Sequence, residues 1–132
     1  MFLTKERDYA VRIIRTLADM ELKTVKDICD QEHIPRPFAY KIIKKLEHSG
    51  LVVSRRGPSG GYSLVKKPEE LTLLDIVVCI EGDQLLLNEC LHPRDDCINN
   101  RDGKHCGVHL ELKRAQEVLI KTLQEKKIIE LI

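Results

Sequence analysis

A mainly α-helical fold with one small β-hairpin is predicted from three observations on this 132-residue chain. Apolar residues recur at helical spacing in five separate segments. Two short β-prone runs, Leu51–Ser54 and Tyr62–Val65, flank the turn-rich segment RRGPSGG, the pattern of a hairpin. The longest periodic run comes last, from Val108 to about Lys127.

The first helix is expected from Thr4 to about Met20. Ala10, Ile13, Ile14 and Leu17 form its stripe, and Thr4 is positioned as the N-cap. A short helix follows over Val25–Gln31, with Val25, Ile28 and Cys29 on one side. HIPRPF breaks it, because neither proline continues a helix, though either can open the next. The third helix, Pro37–His48, carries Ala39, Ile42, Ile43 and Leu46 on its apolar stripe. Arg36, Tyr40, Lys41, Lys44 and Lys45 lie toward the other side, and Gly50 suits the position past its end. After the hairpin, Leu71–Ile80 reads as a compact apolar helix capped by Thr72. The final stripe is Val108, Leu112, Ala115, Leu119 and Leu123.

Helix, short helix, turn, basic helix and basic hairpin are the order of a winged helix-turn-helix, in which the third helix enters the major groove. Arg55, Arg56 and the hairpin glycines offer donors and close backbone approach to phosphate. Charge divides the same way. Residues 1–67 hold 14 Lys and Arg against 8 Asp and Glu, whereas residues 68–132 hold 8 against 13. A basic half suits a polyanion and an acidic half suits another task. The expected division is therefore a DNA-binding domain over 1–67, then a region over 68–132 with a ligand loop (about 88–109) and a long helix.

No phosphate loop or nucleophile elbow is present, so no enzyme class is indicated. No apolar run approaches the ~18 residues of a membrane span. The segment MFLTKERDYAVR lacks the apolar core of a secretory signal, which leads us to expect a cytoplasmic chain.

The segments LTKERDYAVR, RPFAYKIIKKLEHSGLV and RRGPSGGY together resemble the winged-helix regulator family that includes IscR and NsrR. The resemblance covers essentially the whole chain. It implies a homodimer that crosses its long helices, binds a palindromic operator as a transcriptional regulator, most often a repressor, and carries an iron–sulfur cluster in the loop. Transferred to matching positions, it implies DNA contacts from Arg36, Phe38, Tyr40 and Lys41 in the third helix and from Arg56 and Ser59 in the wing. Some relatives have an acidic residue at the place of Tyr40, which implies a different base preference.

The loop NECLHPRDDCINNRDGKHCGVH holds three of the five cysteines and three of the five histidines. Cys90, Cys97 and Cys106 follow C-x6-C-x8-C, without the tight pair that zinc ribbons favour. Three separated thiolates suit an iron–sulfur cluster. The family's loops are slightly shorter, so the spacing leaves two-iron and four-iron forms open. For a fourth ligand the resemblance points to His109, three residues after Cys106, or to Asp8, supplied from a partner subunit. His92 and His105 read as solvated loop residues, and Asp8 reads equally as a helix-dipole carboxylate. Cys29 and Cys79 fall in apolar stripes and read as core. Two other functions fit the residues: a thiol-switch repressor with no metal, and a winged-helix protein-docking module with a structural zinc site.

Overall fold

The computed structural model describes residues 4–82, 85–94 and 96–132. The initial Met-Phe-Leu, which begins the segments quoted above, and Asp95 of the cysteine loop lie outside the described residues. The elements in order are α1 (Lys5–Thr16), α2 (Val25–Glu32), α3 (Arg36–His48), β1 (Val52–Arg55), β2 (Gly61–Leu64), α4 (Leu73–Glu81) and α5 (Gly107–Glu125), with three short 3-10 turns between or after them. The mainly helical fold with one hairpin and a long last helix is as expected.

Thr4 caps α1, its hydroxyl accepting from the Arg7 N–H at 3.4 Å. The helix then tightens into a 3-10 turn over Leu17–Asp19 and stops at Met20, which is left-handed (φ 64°). Thr24 and Asp27 close a capping box on α2. That helix ends at His33 (φ 53°), and the turn His33–Pro35 redirects the chain into α3. Pro35 occupies the N-cap, so α3 begins at Arg36, one residue earlier than its proline pattern suggested.

The hairpin pairs Val52 with Leu64 and Arg55 with Gly61, so residues 56–60 form its tip. Both strands are displaced by about one residue from expectation. Leu51 is drawn off by α3, its N–H donating to the Leu46 carbonyl at 3.0 Å. Gly61 is drawn in because β2 also pairs with the chain ahead of α2: Lys23 and Tyr62 exchange backbone hydrogen bonds of 2.9 and 2.7 Å. The wing is thereby sewn to the helix-turn-helix.

Ala10, Ile13, Ile14 and Leu17 of the first helical segment meet Ala39, Ile42, Ile43 and Leu46 of α3 in the core, with Ile76 and Ile80 of α4 packed on both. These residues are within a few per cent of full burial, and truncating one of the isoleucines or leucines to Ala carries a cost of about 2–5 kcal/mol. Cys29 is buried, and burial raises its thiol pKa. Cys79 is half-buried; burial pushes it up to about 11, and its thiol donates to the Ile76 carbonyl. Cys29 thus belongs to the core, whereas Cys79 packs at its edge beside Lys45 and Ser49.

α4 carries a Thr72–Asp75 capping box and starts at Leu73. Leu71 stays extended because it pairs with the chain's end: the Ile128 N–H donates to its carbonyl at 2.8 Å, and Thr72 bridges Lys127. The same return stops α5 at Glu125. α5 rests on α4 through one face, where His109, Leu112, Gln116, Leu119, Ile120 and Leu123 are half-buried. Two members of the expected stripe, Val108 and Ala115, lie on the exposed side instead, as do Leu110 and Val118. No residue of α5 is fully buried. Among the described residues, no helix is long and apolar enough to cross a membrane.

Candidate nucleic-acid interface and cysteine loop

Burying Ala39, Ile42, Ile43 and Leu46 turns the opposite side of α3 outward. Arg36, Phe38, Tyr40, Lys41 and Lys44 are exposed there. Phe38 (44% exposed) meets the Tyr9 ring edge-on at 6.0 Å, which steadies it at the start of the helix. Lys41 and Lys45 are engaged: Glu6 accepts from both, and Lys45 also donates to the Ile80 carbonyl at 3.3 Å. Among the described residues Arg36, Lys44, Arg55 and Arg56 form no ion pair, leaving four cations directed to solvent.

The wing tip from Arg55 to Ser59 is exposed. Ser54 donates to Glu47 Oε1 at 2.7 Å, fixing the wing relative to α3. A second fixture lies behind the turn. Arg15 grips Glu32 through Nε at 3.1 Å and Nη2 at 2.5 Å, and the Thr16 hydroxyl adds a bond at 3.1 Å. Burial alone would raise the Glu32 pKa, but the Arg15 and Thr16 bonds and the nearby guanidinium charge outweigh it and hold the carboxyl below its usual range. This ionised form joins α1 to α2 at neutral pH, and its contribution is lost as pH falls through the lowered pKa. Neither Ser54–Glu47 nor Arg15–Glu32 is readable from sequence, since partners 7 and 17 residues apart carry no common local pattern.

In the loop, Cys90 sits in a 3-10 turn (Glu89–Leu91) and accepts from the Asn88 side-chain amide at 3.4 Å. Cys97 opens a turn closed by the Asn100 N–H at 2.9 Å. Cys106 is the N-cap residue of α5, and its thiol makes no capping bond. All three are half-buried. A recess of about 350 Å³ is lined by Cys90, His92, Asn100, His109, Lys113 and Glu117, among others. It brings together Cys90 and His109, which are 19 positions apart in the chain. The His109 Nδ1 is buried with no hydrogen-bond partner among the described residues. Buried ring nitrogens are ordinarily satisfied, so this one is suited to a further ligand.

Cys97 and Cys106 do not line that recess, and the described residues contain no group of three Cys, His, Asp or Glu side chains placed to hold a metal ion. Asp8 does not line it in this chain and pairs with Arg12 at 3.0 Å on the α1 surface. His92 turns its Nδ1 to the Arg94 N–H at 3.1 Å, and His105 is exposed. The donor types fit an iron–sulfur group: three thiols and an unsatisfied imidazole nitrogen in one loop and helix start.

A helix-turn-helix with a basic third helix, and a hairpin whose cations face the same solvent, define a winged-helix DNA-binding protein. The chain belongs to the Rrf2 family, described as iron-dependent transcriptional regulators, whose profile matches residues 3–132. It is thus a DNA-binding transcriptional regulator and not an enzyme. A "Putative HTH-type transcriptional regulator" of Aquifex aeolicus is 38% identical over 88 residues, which cover 67% of this chain and 60% of that protein. The "HTH-type transcriptional regulator NsrR" of Bacillus licheniformis is 30% identical over 136 residues, covering 100% of this chain and 92% of the relative. Among solved structures, the IscR of T. potens superposes with a TM-score of 0.77 at 19% identity, covering 97% of this chain and 83% of that one. CymR, the global cysteine regulator of B. subtilis, gives 0.73 at 20% identity, with 97% and 93% covered. At such identities the two structures establish the shared fold.

Proposed function

We propose that this chain is a homodimeric, iron–sulfur-dependent repressor whose operator affinity changes with the state of its cluster. The observation that carries the cluster reading is the pairing of Cys90 with the unsatisfied His109 Nδ1 in one recess, in a loop that also holds Cys97 and Cys106. Residues 1–67 bind a palindromic operator, and residues 68–132 hold the cluster and the dimer helix. The exposed Val108, Leu110 and Val118 of α5, each 58–67% accessible, support a second copy packing along that helix.

On DNA, α3 lies in the major groove with Arg36, Phe38, Tyr40 and Lys41 toward base edges. Arg56 and Ser59 of the wing reach the backbone. Arg56→Ala is then expected to weaken binding to operator and random duplex alike, and to flatten the salt dependence by about 0.9 log units for each phosphate no longer neutralised. Tyr40→Ala is expected to cost about 1–3 kcal/mol on an operator selected by the wild-type protein from a randomised library, and less on random sequence. Titrations at several salt concentrations separate the two patterns; equal losses from both variants on both duplexes would remove the division of labour.

Cys90, Cys97 and Cys106 hold the cluster, with His109 or the partner's Asp8 completing the set. When bound, the group supplies iron that oxidants and small ligands reach, and a non-cysteine ligand makes it easier to lose or modify. The chain's own part would be to present Cys90 and His109 from one recess, with Cys97 and Cys106 supplied by the same loop. The ligand test compares His109→Ala with Asp8→Ala. One of them is expected to accelerate loss of the visible chromophore under air at least severalfold, and unchanged decay in both would dismiss both residues.

A cluster-free thiol switch is the second reading. It needs no metal, and the described residues contain no three ligands placed to hold one; the fold shared with CymR is compatible with it.

A further inference from the structure

Glu6 stands in the first turn of α1, yet its carboxylate is spent on the recognition helix. Oε1 accepts from Lys41 Nζ, and Oε2 accepts from Lys45 Nζ at 2.7 Å. The two lysines are four residues apart, so one acid bridges a full turn of α3. They differ in freedom. Lys45 is 36% exposed and is also tied to the Ile80 carbonyl, whereas Lys41 is 57% exposed and has no other bond among the described residues. Glu6 itself is only 25% exposed, so the carboxylate stays in place while Lys41 is able to swing away.

We infer that Glu6 is a specificity-setting residue: it holds Lys41 back from the phosphates of random DNA and gives it up to a base edge only where the rest of α3 has matched its bases. The inference rests on the proposed presentation of α3 to DNA. With Glu6 ionised, the pair of lysines and their acid carry a net charge of +1 and not +2. A phosphate on random DNA offers Lys41 only an exchange of one anionic partner for another, and the counterion release that drives non-specific binding is diminished. On a matched operator, contacts from Tyr40 and Arg36 bring the helix close enough to favour the exchange, which an exposed ion pair permits because it is weak. The discrimination arises by suppressing the wrong complex and not by strengthening the right one.

The test is Glu6→Gln, which keeps the shape and removes the charge, combined with Lys41→Gln. Wild type, both single variants and the double variant are titrated against a selected operator and a random duplex of equal length, across a salt series. Glu6→Gln is expected to bind random duplex about three- to tenfold tighter, with a salt slope steeper by about 0.9 log units for each lysine released to a phosphate. Operator affinity is expected to rise less, so the specificity ratio falls, and Lys41→Gln in that background is expected to erase the gain. In the otherwise wild-type protein Lys41→Gln is expected to cost more affinity on the operator than on random duplex, because on random duplex Lys41 is occupied by Glu6. That arm stands even if Glu6→Gln weakens α1, which thermal unfolding reports. Unchanged random-duplex affinity and slope in a folded Glu6→Gln, or a loss in Lys41→Gln as large on random duplex as on the operator, overturns the inference and leaves the DNA-binding reading intact. A wild type with no salt-dependent affinity for either duplex overturns both.

Discussion

Cys106→Ala, purified without oxygen, is expected to lack the visible chromophore and to contain little iron or sulfide, while its stability stays within about 0.5 kcal/mol of the cluster-free wild type. The two halves of this result have separate reasons. Cys106 is the N-cap of α5, but its thiol caps nothing, and α5 contributes no fully buried residue. Its backbone carbonyl accepts from the Leu110 N–H at 3.1 Å, and alanine retains that carbonyl. A half-buried side chain that caps nothing, replaced by alanine, changes stability little. Against that, removing one of three thiolates takes away a ligand for which the neighbouring histidines are poor substitutes in a sulfur-rich site. Iron and sulfide analysis beside a denaturant curve measures both. Full iron and sulfide in the variant would show that Cys106 is not a ligand.

Gly61→Ala is expected to detach the wing. A Cβ at this position would lie 2.5 Å from the Lys23 carbonyl oxygen and 2.8 Å from its carbon, both backbone atoms that cannot step aside. Relief requires separating β2 from Lys23, which breaks the hydrogen bonds of 2.9 and 2.7 Å between Lys23 and Tyr62. Overpacking together with the broken bonds suggests a cost of about 2–4 kcal/mol. The functional effect is larger in kind, because Arg56 and Ser59 ride on this hairpin. DNA affinity is expected to fall at least tenfold on operator and random duplex alike. Denaturant unfolding and DNA titration check the two effects, and a variant with an unmoved midpoint would mean that the Lys23–Tyr62 bridge does not hold the wing.

Local chemistry makes much of this fold readable in the sequence. Thr4 and Thr72 announce helix starts because a side-chain oxygen there satisfies an otherwise orphaned N–H, and Thr24 with Asp27 carries the same signal. The Ala39–Leu46 stripe determines the exposed side of α3, since burying four residues at helical spacing leaves one outward face. What escapes is non-local. Leu71 remains extended because Ile128, 57 positions later, pairs with it, and nothing in Leu71-Thr72-Leu73 encodes that return. The buried face of α5 departs from the expected stripe at Val108 and Ala115 because apolar residues occur on two sides of that helix, and only packing on α4 tells them apart. In the loop, spacing identifies donors but not neighbours. The proximity of Cys90 to His109 depends on how α5 lies against the Glu89–Leu91 turn, as the Glu6 bridge depends on how α1 crosses α3.

If cluster state controls DNA binding, holo and apo protein must bind one operator differently. The wild-type protein is purified anaerobically, its iron, acid-labile sulfide and zinc are quantified, and the holo form and the chelator-stripped apo form are titrated against one selected operator at fixed salt. Iron with sulfide is expected in the holo form, with operator affinities that differ at least tenfold between the two forms. Zinc without sulfide, or a metal-free protein whose operator affinity is already complete, would contradict cluster control of DNA binding.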